Sequence, residues 1–236
     1  MGIYLNPGNE VFRQIVNADL YIDKTMLLRE TNRLLDSANK YICMSRPRRF
    51  GKTVTGNMLC SYYSRGCDSR ELFEPFRISR DPGFLKNLNR YHVIKIDMNS
   101  EYQSAQEKKD VLKILTEEVR EEMKTAFPDV VFRGSDSLAR CILRVYAAKQ
   151  ETFIILLDEY DVFVREQVSD ELFQEYLAFL NSLFKSDTLR PAISLAYLTG
   201  ILPIVRDKVQ SKLNNFREYT ILNAGVFAEY VGFTAR

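Results

Sequence analysis

Along the chain, short unbroken apolar runs alternate with longer stretches in which apolar residues return every three or four positions. The runs are Tyr41–Met44, His92–Met98, Thr152–Leu157 and Ile193–Leu198, with a weaker one at Tyr219–Leu222. Because these runs are continuous and do not alternate with polar residues, they fit strands buried on both faces. Between them the spacing predicts helices over Lys52–Ser64, Ala105–Ala126, Ser137–Lys149 and Glu171–Lys185. In the last of these, Leu172, Tyr176, Phe179, Leu180 and Leu183 fall on one face, the stripe of a helix laid on a core. Strands alternating with helices imply an α/β fold, a mostly parallel sheet with helices on both sides. Turn residues come in short clusters such as Asp81-Pro82-Gly83 and Arg133-Gly134-Ser135-Asp136. No repeat or interdomain linker interrupts the pattern, so one domain is expected over all 236 residues.

Composition narrows the function classes. Hydrophobic residues make up 46% and charged residues 27%, enough apolar material for a substantial core and too much for a disordered chain. Lys and Arg total 33 against 31 Asp and Glu, a net charge of +2. That balance excludes a nucleic-acid coat or a membrane-surface protein, so any polyanion site has to be local. The four cysteines form no C-x-x-C pair and His92 is the lone histidine, which leaves too few soft ligands for zinc. The cysteines read as reduced. The longest mostly apolar stretch, Ala192–Val205, carries Ser194, Thr199, Gly200 and Pro203 and is too short and too polar to span a bilayer. The opening residues lack a basic region followed by an apolar core. A soluble cytoplasmic protein with no membrane partner is the expectation.

Two segments carry candidate chemistry. The stretch Ser45-Arg46-Pro47-Arg48-Arg49-Phe50-Gly51-Lys52-Thr53 follows the first strand and opens a helix, the context of a phosphate-binding loop. Gly51 would admit phosphate oxygens to the backbone, Lys52 would reach the β and γ phosphates and Thr53 would ligate magnesium. The leading glycine of G-x-x-x-x-G-K-[ST] is replaced by Arg46. A basic turn opening a helix reads equally well from these residues alone. The second segment, Thr152–Glu159, is an apolar run that ends in two carboxylates. Ligands of open α/β sheets bind at that strand edge. Asp158 suits a magnesium ligand and Glu159 a base that polarises water for attack on the γ phosphate. A solvated strand end with Asp158 capping the next turn is the alternative.

Weaker signals surround these two. Thr199, before Gly200 at the end of the fourth strand, could sense the γ phosphate or attacking water, or simply close a turn. Arg190 and Arg206 bracket that strand, and either could stabilise transition-state charge or be solvated surface. Asp23 reads as a helix cap and Asp161 as a surface acid.

Taken in order, Tyr21–Thr25, Arg46–Thr53, Leu156–Asp161, Leu198–Ile204, Leu213–Phe216 and Gly232–Thr234 resemble the predicted AAA-ATPase-like family, from about residue 5 to the end. In that family an arginine-rich loop without the leading glycine is usual. The resemblance implies a P-loop NTPase, a three-layer α/β/α sandwich on a mostly parallel five-stranded sheet in the order 5-1-4-3-2. Residues 1–236 would be one ATPase domain, with residues 1–40 packing on the nucleotide site. The resemblance carries over ATP and magnesium binding to Lys52, Thr53 and Asp158 and water activation to Glu159. Arg48, Arg49, Phe50, Gly51 and Val54 would complete the nucleotide loop, Asp23 and Lys24 would line the site, and Thr199 would join Glu159 and Lys52 in catalysis. Family members commonly continue into a helical lid and a restriction-endonuclease-like nuclease domain. This chain stops at Arg236, so the implied partners are ATP and, through a longer chain, such a nuclease domain or DNA. The leading expectation is an ATPase with weak intrinsic turnover. A nucleotide-gated switch, or a DNA accessory protein gripping backbone phosphates with Arg46, Arg48 and Arg49, stands as the alternative.

Overall fold

The computed structural model describes residues 1–203 and 215–230. Helices α1 (Glu10–Val16) and α2 (Leu27–Leu34) precede strand β1 (Tyr41–Ser45), which feeds helix α3 (Lys52–Tyr63). Short helical turns lead on to β2 (His92–Asp97), α4 (Met98–Ser104), α5 (Val111–Ala126) and α6 (Leu138–Lys149). Strand β3 (Phe153–Asp158), the single turn α7 (Val162–Arg165), α8 (Asp170–Phe184), β4 (Ile193–Gly200) and β5 (Arg217–Tyr219) follow. The five strands lie in the order β2-β3-β4-β1-β5 and every neighbouring pair is parallel. Read from the other edge, this is the expected order 5-1-4-3-2.

Both faces of the sheet are covered, which explains the continuous apolar runs. Tyr41, Cys43, Ile155, Leu157 and Leu198 share one core with α5, α6 and α8. Their neighbours Ile42, Met44, Ile154, Leu156 and Tyr197 face the other way, onto α1, α2 and α3. Each fully buried aliphatic side chain contributes about 1.5–3 kcal/mol before conformational entropy is subtracted. Helix α3 is buried from Thr55 to Tyr63 although its sequence shows no single apolar stripe. It is enclosed because the sheet lies on one side and α1, with Phe73 edge-on and Phe84 tilted against Tyr62, lies on the other. A helix held on all sides fixes the position of Lys52 at its start.

Three boundaries differ from expectation. The last strand is Arg217–Tyr219, not Tyr219–Leu222. Thr220 donates its amide to Asn223 O at 3.1 Å and reverses the chain, leaving Ile221 and Leu222 exposed. The helix expected over Ala105–Ala126 begins at Val111, because Lys108 Nζ turns back to the carbonyls of Tyr102, Gln103 and Ala105 at 2.6–2.9 Å and closes α4. Met98 belongs to α4 and not to β2, since Asp97 Oδ1 accepts the amides of Asn99 and Ser100 and starts the helix there. Residues 1–40 divide between two tasks. Glu122 on α5 accepts the amides of Ile3, Tyr4 and Leu5, and Leu5 bridges to Ile94, so the first residues brace β2 far from the loop after β1. Among the described residues no helix is long and apolar enough to cross a membrane.

Candidate functional site

Parallel strands gather their carboxyl ends at one edge, and there β1, β3 and β4 deliver the residues the sequence singled out. A cavity of about 380 Å³ opens at this edge, lined by Arg48, Arg49, Lys52, Thr53, Glu159 and Arg165, with Gly51, Asp97 and Asn99.

The loop after β1 is built from left-handed backbone. Arg49 has φ 69° and Gly51, the residue capping α3, has φ 76°. A Cβ on Gly51 would meet no described atom within 4 Å, so glycine is favoured there by backbone angle and not by space. Arg49 holds the same region without that freedom, at a cost of about 1–2 kcal/mol. The first intrahelical bond of α3 runs from Thr55 N to Gly51 O at 2.9 Å. The amides of Lys52, Thr53 and Val54 therefore have no acceptor in the helix, the condition that makes a helix start attract anions. Lys52 Nζ donates to the carbonyls of Arg46 and Pro47, both at 3.0 Å. Burial lowers the pKa of this ammonium, opposed by the carboxylates of Glu159, Asp158 and Asp161. Arg46, standing where the leading glycine would be, is buried and points to the backbone of Ser45 and Tyr219. It cannot grip a nucleic-acid backbone from there, whereas Arg48 and Arg49 are exposed.

At the end of β3, Asp158 Oδ1 accepts the hydroxyl of Thr199 and, at 3.0 Å, the amide of Glu159. Thr199 is buried at the end of β4, so it reaches the site by holding Asp158 and not by facing the cavity. Glu159 has φ 54°, a second non-glycine residue in the left-handed region at this edge; such strain collects at functional sites. Burial raises its pKa, and Arg165, whose Nη2 donates to Oε2, opposes that shift. Asp161 is buried rather than a surface acid: its Oδ2 accepts the amides of Ile201 and Leu202 at 3.0 and 2.8 Å, anchoring the turn to the chain beyond β4.

A second, apolar cavity of about 200 Å³ lies on the other side of Gly51, between α3 and the segment after α1. Phe50, Val54 and Met58 face Leu20, Tyr21 and Ile22 across it, with Lys24 at its wall. Asp23 lines neither cavity. Nor does it cap α2, which starts at Leu27: its carboxylate accepts the amide and hydroxyl of Thr25 and the amide of Arg77. Arg190 stands at the start of β4, the opposite edge, where its carbonyl accepts Lys40 Nζ. It therefore cannot stabilise charge at this site, and Arg206 lies outside the described residues, as do Leu213, Asn214 and Gly232–Thr234. The sequence reading passed over Arg165, Asp97 and Asn99. Their signals were present: Arg165 follows Asp161 by one helical turn, and Asp97 ends an apolar run as Asp158 does, its register partner in β3.

A family profile described as a predicted AAA-ATPase matches residues 7–210. No curated protein matches the chain.

Proposed function

This chain belongs to the predicted AAA-ATPase family, and from that premise we propose that it binds ATP at the carboxyl edge of the sheet and hydrolyses the β,γ-phosphoanhydride. The observation that carries the reading is the meeting of Lys52 and Thr53 with Glu159 in one cavity, although the sequence separates them widely. Gly51 lines both cavities. A nucleotide straddling it would set its base against Phe50, Val54 and Met58 and its phosphates over the start of α3. Free amides, Lys52 and the exposed Arg48 and Arg49 supply the positive surface that a triphosphate needs.

The donor set also fits magnesium. Thr53 lines the cavity with no hydrogen bond to its hydroxyl among the described residues, and Asp158, buried behind the lining, keeps Oδ2 without a hydrogen bond among them. A hydroxyl and a carboxylate suit a hard cation that keeps water and phosphate oxygens as its other ligands. Bound there, the ion would neutralise charge gathering on the β and γ phosphates. Thr199 would keep Asp158 in place, and Glu159 would take a proton from water as its oxygen bonds to the γ phosphorus. The bond from that phosphorus to the bridging oxygen breaks and ADP leaves with the electron pair.

Calorimetric titration with ATP and magnesium tests the binding half. Lys52→Ala is expected to weaken binding by at least about 100-fold, the loss of a charge-assisted contact of roughly 3 kcal/mol, with a cooperative thermal transition retained. Equal affinity in the variant would sink the site.

A further inference from the structure

Arg165 closes the single turn α7, and no sequence motif gives it a task. Its guanidinium lies between two carboxylates. Nη2 donates to Glu159 Oε2, and Nε stands 3.4 Å from Asp161 Oδ2. The turn between them is fixed almost everywhere else. Tyr160 N donates to Thr199 O at 3.0 Å, Arg165 N donates to Asp161 O at 3.0 Å, and Tyr176 Oη donates to Tyr160 O. Gly200 lets the turn lie flush on β4, since a Cβ there would come within 2.8 Å of Asp161 Oδ1 and 2.6 Å of Tyr160. What the backbone leaves free is the carboxylate of Glu159, at the end of rotatable side-chain bonds, and the contact that selects its rotamer is Arg165. The arginine is itself seated, 14% exposed and paired by charge, without a hydrogen bond from Nε, to an aspartate whose other partners are backbone amides.

We propose that Arg165 is a positioning residue: braced on Asp161, it holds the Glu159 carboxylate towards the cavity lined by Lys52 and Thr53, where water is activated. The inference rests on the hydrolysis reading above. Holding a base in a near-attack geometry accelerates the chemical step and leaves ground-state binding alone. Its removal therefore acts on kcat and not on nucleotide affinity.

The test measures ATP binding and phosphate release for the wild type, Arg165→Ala, Arg165→Lys, Glu159→Gln and the double variant Glu159→Gln with Arg165→Ala. Arg165→Ala should bind ATP within about 3-fold of the wild type, keep its KM and lose kcat by about 100-fold. Arg165→Lys restores the charge without the planar fork and should recover about tenfold. In the double variant kcat should fall no further than in Glu159→Gln, because the arginine acts through that carboxylate. Wild-type kcat in Arg165→Ala overturns the proposal, as does a loss of affinity that matches the loss of kcat, or a further fall in the double variant. If Arg165→Ala loses its cooperative thermal transition, Arg165→Lys decides, and wild-type kcat there overturns the proposal. A wild-type chain without phosphate release defeats the hydrolysis reading and Arg165 with it. Wild-type turnover matched by the arginine variants defeats Arg165 alone.

Discussion

At the amino ends of the strands His92 is buried among Asn6, Arg65 and Glu151, with its ring against Phe127 and Phe153. At the carboxyl ends Lys52, Thr53, Glu159 and Arg165 surround a cavity of about 380 Å³. Both edges carry charge, and the difference lies in how it is satisfied. Asn6 Oδ1 accepts Val93 N at 2.9 Å, so its amide nitrogen must donate to His92 Nδ1. The neutral ring then carries its proton on Nε2, towards Glu151, and Arg65 Nη1 donates to the same carboxylate at 2.9 Å while standing 2.8 Å from Nε2. Left-handed backbone occurs at both edges, at Asn6 and Gln150 as at Arg49 and Glu159, but at the carboxyl edge the Thr53 hydroxyl lines the cavity and has no partner among the described residues. Charge alone does not mark a site; charge gathered around open donors does.

The largest effect expected from testing this contrast is at Asp161. Asp161→Ala removes the acceptor of two amides and leaves Arg165 to Glu159 alone. Breaking such a buried pair costs about 3–5 kcal/mol, and urea denaturation should show a midpoint shifted to match. A shift no larger than that of an exposed substitution would mean that the turn is not built as described.

A smaller effect belongs to His92. Burial pushes its pKa below the ordinary 6.5, and protonation of Nδ1 would set two donors against each other at Asn6. The unfolded chain therefore binds a proton that the folded chain refuses. The stability tied to this group is fully present above about 6.5 and falls as the pH drops through and below that value. Denaturation at pH 7.5 and 5.5 should show a loss in the wild type that shrinks in His92→Gln. The same slope in both would remove His92 from the account.

The sequence made the strands legible, because strands covered on both faces leave unbroken apolar runs such as Phe153–Leu157, whereas their order followed from the family resemblance. It also pointed to Lys52, Thr53 and Glu159, which the fold gathers around one cavity because each stands at the mouth of a strand or helix. It failed where apolarity and pairing part company. Ile221 and Leu222 look like strand residues, yet on that side β1 pairs with Arg217–Tyr219 alone and ends at Ser45, where the loop begins. Asp161 was misread because burial depends on contacts across the fold, whereas Arg190 is exposed, as its reading as solvated surface expected. Arg165 escaped because a charge on a four-residue helix gains meaning only from the carboxylates folded around it.

The central claim is that this edge hydrolyses ATP with Glu159 as the base. It is met most directly by phosphate release at saturating ATP and magnesium from the wild type, Glu159→Gln and, as the control from the opposite edge, Arg190→Ala. The account predicts that Glu159→Gln binds ATP as the wild type does and releases phosphate at least about 100-fold more slowly, while Arg190→Ala keeps the wild-type rate. Wild-type turnover in Glu159→Gln would contradict it.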